Sequence, residues 1–146
     1  MVVSDALQVE FTIPGNWTPE RKRSYRRGKF TTRVDTPEAA DFKTKCAAFA
    51  AQAMGDRPPL DEPLIAEVTW TTTKPGGYRK HDNVPFKRPD LDNLNKALMD
   101  GIDGIVMADD ARIVDLHLRK EFGDREQVEV VVRPYYADYP YREATS

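Results

Sequence analysis

Cysteine is almost missing from this chain. Cys46 is the only one in 146 residues, which excludes an intrachain disulfide and a Cys-rich zinc site and suits a reducing cytoplasm. Histidine is nearly as scarce, and His81 and His117 lack a paired ligand spacing, so neither is expected to hold a metal. No apolar run approaches the roughly 18 residues of a membrane span, which excludes a membrane-embedded role. The start, Met1 to Asp5, has neither the basic beginning nor the apolar stretch of a signal peptide, so the expected location is cytoplasmic.

Net positive charge is lacking too. The chain sums to −2, which taken alone argues against nucleic-acid binding. The distribution argues the other way. Between Glu20 and Arg33 stand seven positive residues, Arg21, Lys22, Arg23, Arg26, Arg27, Lys29 and Arg33. Between Lys74 and Arg88 stand five more, Lys74, Arg79, Lys80, Lys87 and Arg88. The segments carry +6 and +4, leaving the remainder at −12. Placement decides which surface attracts phosphate, so these eleven residues other than Arg33 are the candidate DNA contacts. Tyr25 and Phe30, interleaved with the first group, favour nucleic acid over plain solvated surface.

Hydrophobic residues at 40% and charged residues at 32% describe a globular chain rather than a disordered one. The length fits a single domain, 1–146, with a core that needs no staples. Val9, Phe11 and Ile13 alternate with polar neighbours and predict a first strand ended by Pro14-Gly15. Trp17 to Arg33 shows no period and reads as a long loop with room for a short extended stretch. Thr36-Pro37-Glu38 is a helix start, and Phe42, Cys46, Phe49 and Ala53 form one helix face. Cys46 is therefore expected in the core. Leu64, Ala66, Val68 and Trp70 predict a second strand, with Trp70 also core.

Leu91, Leu94, Leu98 and Ile102 form a second helix face, which should begin close to Asp90 because Pro89 disfavours helical geometry at Arg88. Gly101 and Gly104 weaken its end. Two more strands follow, around Val114, Leu116 and Leu118 and around Val128, Val130 and Val132. The short Gly123-Asp124-Arg125 link suggests an antiparallel hairpin. The tail 134–146, rich in Tyr and Pro, is either irregular or packs on a partner. The order β-α-β-α-β-β implies a small α/β or α+β domain, one mixed sheet covered by two helices.

The most informative stretch is Arg88-Pro89-Asp90-Leu91-Asp92-Asn93-Leu94-Asn95-Lys96, followed by Asp109-Asp110. Residues two apart on a helix point away from each other, so Asp90 and Asp92 converge only if Asp90 stands at or before the helix start. Lys96 shares a face with Asp92. The later pair comes where the chain turns toward the next strand and could return to the helix start. Gathered carboxylates repel one another, and a hard divalent cation, Mg²⁺ or Mn²⁺, removes that cost. Such a cation can polarise a phosphodiester and lower the pKa of water, with Lys96 facing the charge that builds on phosphorus. Each feature also has a plainer reading: Asp90 as a helix cap, Asp92 with Lys96 as a surface ion pair, and Asp109-Asp110 as a turn.

These residues resemble the RusA-type Holliday-junction resolvases of bacteria and their phages. The family's stretch has a basic residue, Asp-x-Asp-Asn, a Lys three residues on and a helix, then a Gly-containing turn, an Asp-Asp pair and an Ile/Val-rich strand. Here it reads Arg88, Asp90, Asp92, Asn93, Lys96, then Gly104-Ile105-Val106, Asp109-Asp110 and Ile113-Val114. The resemblance is strong from Lys87 to about Lys120 and weaker upstream, where Pro14-Gly15-Asn16-Trp17 departs from the usual Pro-Pro-Ser-like stretch. It implies a homodimer that resolves four-way junctions with paired nicks using Mg²⁺, with Mn²⁺ as substitute. Carried over by position, Asp90, Asp92 and Asp110 bind metal, Lys96 is catalytic, and Asp109 is the neighbour of the third acid. A two-fold dimer suits the two-fold symmetry of the junction, its interface falling on the tail or on an apolar sheet edge.

Two other functions compete. A non-catalytic phage DNA-binding accessory protein would use only the basic loops. A nucleotidyl transferase built on Asp90-x-Asp92 would need a phosphate-cradling loop, and Pro75-Gly76-Gly77-Tyr78 does not lead into a helix start.

Overall fold

The computed structural model describes residues 7–15, 22–27, 30–35, 37–74 and 76–139. Its elements are β1 (Val9–Pro14), β2 (Lys22–Arg27), β3 (Phe30–Asp35), α1 (Pro37–Met54), β4 (Leu64–Thr72), α2 (Leu91–Ile102), β5 (Ile113–Phe122), β6 (Gln127–Pro134) and α3 (Tyr135–Asp138). Among the described residues no helix is long and apolar enough to cross a membrane.

A four-stranded mixed sheet, ordered β1-β6-β4-β5, organises the fold. The period-two residues line one face in register. Val9, Phe11 and Ile13 stand opposite Val132, Val130 and Val128. Those in turn stand opposite Ala66, Val68 and Trp70. All are buried, together with Phe42, Cys46 and Ala50 of α1 and Leu94, Leu98 and Ile102 of α2. The Phe42 and Trp70 rings lie 6.0 Å apart, so α1 packs on the strand at the sheet's centre. Burial pushes the Cys46 thiol up to about 12, as expected for a core side chain rather than a reactive one. The opposite face is polar: Arg133 bridges Glu67 at 2.9 Å and Asp138 at 2.8 Å, which clips α3 against the sheet.

The α+β expectation of a single mixed sheet with two covering helices is met, with three differences. The stretch expected as a loop contains the hairpin β2–β3, paired from Lys22 opposite Asp35 to Arg27 opposite Phe30. Basic residues at consecutive positions in the sequence hide a period of two, although Tyr25, Thr31, Thr32 and Val34 are strand formers. The hairpin expected between the last two strands is absent. β5 pairs with β4, in parallel, and β6 lies on the other side of β4. A short link suits a hairpin, but here it skirts the end of β4, where Gly123 N–H donates to the Thr72 carbonyl at 3.0 Å. The β4-α2-β5 segment is thus a parallel crossover unit, for which a helix of α2's length is the usual connection. Third, the tail begins with the short α3; residues 140–146 lie outside the described residues.

Gly101 lets the two long helices cross closely. A Cβ there would stand 2.8 Å from Cys46 Cβ and 2.9 Å from the Lys43 carbonyl oxygen. Gly104, at φ +80°, turns the chain out of α2.

Candidate active site

α2 begins where the sequence places it. Asp90 is its N-cap residue, in extended geometry at φ −73° and ψ 150°. Its backbone carbonyl accepts from Leu94 N–H, but its carboxylate makes no capping hydrogen bond. The helix-cap reading therefore does not occupy the side chain. Asp92 lies in the first turn and Lys96 one turn further. All three are exposed, and Leu94 and Leu98 beneath them are fully buried. The apolar stripe thus sets the rotation that turns this polar group toward solvent.

Lys120 joins this end of the helix, although no motif or spacing singles it out in the sequence. It projects from β5 on the side facing α2, opposite Trp70 in the register. Its ammonium donates to the carbonyls of Lys87 and Pro89, at 2.9 and 3.0 Å. Burial lowers its pKa, and the nearby Asp90 charge opposes that shift. Lys120 therefore clamps the loop-to-helix junction and fixes where Asp90 begins.

Asp110 is elsewhere. It opens a 3-10 turn, Asp110–Arg112, beyond the far end of α2, and its N–H donates to Asp103 Oδ1 at 3.0 Å. Asp103 is the C-cap residue of α2. With about 1.5 Å of rise per residue, Asp90 and Asp103 stand roughly 20 Å apart along the axis. The return loop is pinned: Val106 and Met107 are fully buried, and Leu60 exchanges hydrogen bonds of 2.8 Å with Val106 and Ala108. Within one copy of the chain, Asp110 therefore does not reach Asp90 and Asp92.

Asp110 gathers other acids instead. Carboxylate oxygens of Asp103, Asp109 and Asp110 all lie within 4.8 Å of one another, and all three residues are exposed. The Asp110 carboxyl is pushed above its ordinary range by partial burial, a hydrogen bond with Asp109, and the charges of Asp103, Asp109 and Asp100. The Asp109 carboxylate is held low, chiefly by the Ala111 N–H, which donates to Oδ1 at 2.8 Å. Asp109 is thus largely occupied by the turn, as its plainer reading had it. The donor set is hard, anionic and mutually repulsive, which fits Mg²⁺ or Mn²⁺. Asp103 had no signal in the sequence beyond preceding Gly104.

The second basic segment folds around Tyr78, whose ring meets Phe86 at 5.5 Å and Phe122 at 5.1 Å, both edge-on. Lys74 donates to the carbonyls of Lys80 and Asp82, at 3.1 and 2.7 Å. Lys87 donates to the Gly77 carbonyl and stands 4.8 Å above the Tyr78 ring. These two lysines spend their ammonium groups on the loop's own carbonyls, and all five basic residues of the segment are exposed. Of the first basic segment, Arg21 and Lys29 lie outside the described residues. Lys22, Arg23, Arg26 and Arg27 lie along β2.

Residues 14–133 match the family described as Endodeoxyribonuclease RusA. A relative from Bacillus subtilis (strain 168), described as uncharacterized protein YqaN, is 35% identical over 139 residues, spanning 86% of this chain and 95% of its own.

Proposed function

Since the chain belongs to the RusA endodeoxyribonuclease family, a family of Holliday-junction nucleases, we propose that it resolves four-way junctions by paired, divalent-cation-dependent nicks. In this reading it acts as a homodimer, with Mg²⁺ as the working ion and Mn²⁺ as a substitute. The observation that carries the reading is the α2 start, where the Asp90 carboxylate makes no capping hydrogen bond and Asp90, Asp92 and Lys96 are all exposed. Asp90, Asp92 and Asp110 are the metal-binding acids of the proposal.

When bound, the cation supplies Lewis-acid polarisation of the phosphodiester and activation of the attacking water. The residues do the rest. Water attacks the scissile phosphorus in line, a P–O bond breaks, and the products carry a phosphate and a hydroxyl. Lys96 presents its ammonium to the charge that accumulates on the phosphoryl oxygens. Arg79, Lys80 and Arg88, on the loop leading into α2, hold flanking phosphates, as do the basic residues of the β2 segment.

A synthetic four-way junction incubated with purified protein and Mg²⁺ tests this. Symmetric paired nicks that disappear on chelation are expected. Asp90→Asn should abolish cleavage and leave junction binding intact. An absence of nicks with both Mg²⁺ and Mn²⁺ would remove the proposal.

A further inference from the structure

The loop that delivers the chain into α2 carries an exposed aromatic ring. Phe86 is 63% exposed, whereas Phe11 and Phe42 are buried in the core. Val84, two residues earlier, is 52% exposed. The same loop carries Arg79, Lys80, Lys87 and Arg88, all exposed. Resting on the reading of branched DNA as the substrate, we infer that Phe86 stacks on a nucleobase that has come unpaired at the branch point. This contact makes the protein prefer branched DNA to plain duplex.

The ring is held ready rather than left loose. Pro85, just before it, is buried. Just after it, the Lys87 N–H donates to the Tyr78 hydroxyl at 3.1 Å. The Lys87 carbonyl accepts from the Lys120 ammonium at 2.9 Å. Tyr78 in turn meets Phe122, at the end of β5, at 5.1 Å. The turn at 79–82 is closed from both sides. Asp82 N–H donates to the Arg79 carbonyl at 3.0 Å, and Arg79 N–H donates to Asp82 Oδ2 at 2.6 Å. A side chain fixed in this way loses little freedom on binding. The Tyr78 and Phe86 rings meet at 87°, a T-shaped contact that occupies at most one face of Phe86. The other face is left for a flat partner.

The adjoining space fits a base. A cavity of about 230 Å³ is lined by Gly77, Arg79, Asp82, Phe86 and Lys87. Pockets for drug-sized ligands run roughly 300–1,000 Å³, so this one suits a single flat ring system. Its charges are mixed, because Asp82 contributes a carboxylate beside two cations. That carboxylate repels a phosphate and leaves a neutral base unopposed. The cations of the loop favour a polyanion over an apolar protein partner.

Stacking also supplies what the cations lack. Phosphates are present on branched and linear DNA alike, so basic residues alone give no preference between them. An aromatic ring finds a free base face only where stacking is interrupted, and a branch point is such a place. Every base has such a face, so the contact reads the unpaired state rather than the sequence. Phe86 precedes Asp90 by four residues, which keeps their Cα atoms within roughly 14 Å. The captured base therefore lies close to the phosphate to be cut.

The test is equilibrium binding by the full-length protein with EDTA present, so that cleavage does not intervene. The substrates are a four-way junction, a linear duplex of the same sequence, and a junction with abasic sites at the branch point. Phe86→Ala should weaken junction binding by roughly 10-fold or more, as losing one base–aromatic stack does, and leave duplex binding unchanged. Phe86→Trp should bind the junction as tightly as wild type. Wild type should lose a similar factor on the abasic junction, where Phe86→Ala loses nothing further. The abasic comparison needs no variant, so it decides the matter even if a substitution impairs folding. Full junction binding by Phe86→Ala, an equal loss on duplex, or equal wild-type binding to intact and abasic junctions would each overturn the stacking contact. Nicking by wild type with Mg²⁺ is followed in parallel. Nicking without a Phe86 effect removes this inference and leaves the nuclease reading standing. Phe86-dependent binding without nicking removes the cleavage reading and keeps the contact, and a wild type that binds no junction removes both.

Discussion

Lys96 and Asp90 illustrate what single residues reveal. Lys96→Ala removes the ammonium proposed to face the phosphoryl charge, so kcat should fall by roughly 10²-fold or more while junction affinity changes little. Single-turnover cleavage with a parallel binding titration checks this, and an equal loss in both would assign Lys96 to binding alone. The placement of Asp90, Asp92 and Lys96 was legible because Pro89 and the Leu91-Leu94-Leu98-Ile102 stripe mark where α2 starts and which side it buries. Asp103 was not legible. Its partnership with Asp109 and Asp110 depends on Gly104 at φ +80° and on a loop held by Leu60, far back in the chain. The distance between Asp90 and Asp110 was hidden for the same reason: spacing along the chain says nothing of which end of a helix the chain returns to.

At the level of elements, the α1–α2 crossing is set by one missing side chain. Alanine is ordinarily the better helix former, yet Gly101→Ala should destabilise the protein by about 1–3 kcal/mol, because its Cβ would meet Cys46 Cβ and the Lys43 backbone. Denaturant titration reads the change. The clip between α3 and the sheet predicts a pH effect. The Arg133 guanidinium holds the Asp138 carboxyl below its ordinary range. Folding thus favours the ionised form, and the stabilisation is present above the usual carboxylate range and lost as pH falls through the lowered value. Thermal melts of wild type and Asp138→Asn should therefore differ near neutrality and converge in acid. Elements with a clean apolar period, β1, β4, α1 and α2, could be read directly. The β2–β3 hairpin could not, since basic side chains erase its pattern, and the partner of β5 could not, since alternation reveals a strand but not its neighbour.

For the molecule as a whole, the placement of β4 matters most. It is bonded on both edges, in parallel to β5 and antiparallel to β6, and its Ala66, Val68 and Trp70 lie beneath both helices. The β2–β3 hairpin forms a separate two-stranded sheet. Cooperative opening should follow that division. In deuterated buffer, amide protons of β4 should exchange last, at a rate set by global unfolding, whereas those of the hairpin exchange through local opening. The centre of the sheet then serves as the slowest clock in the protein, against which loosening anywhere else can be timed.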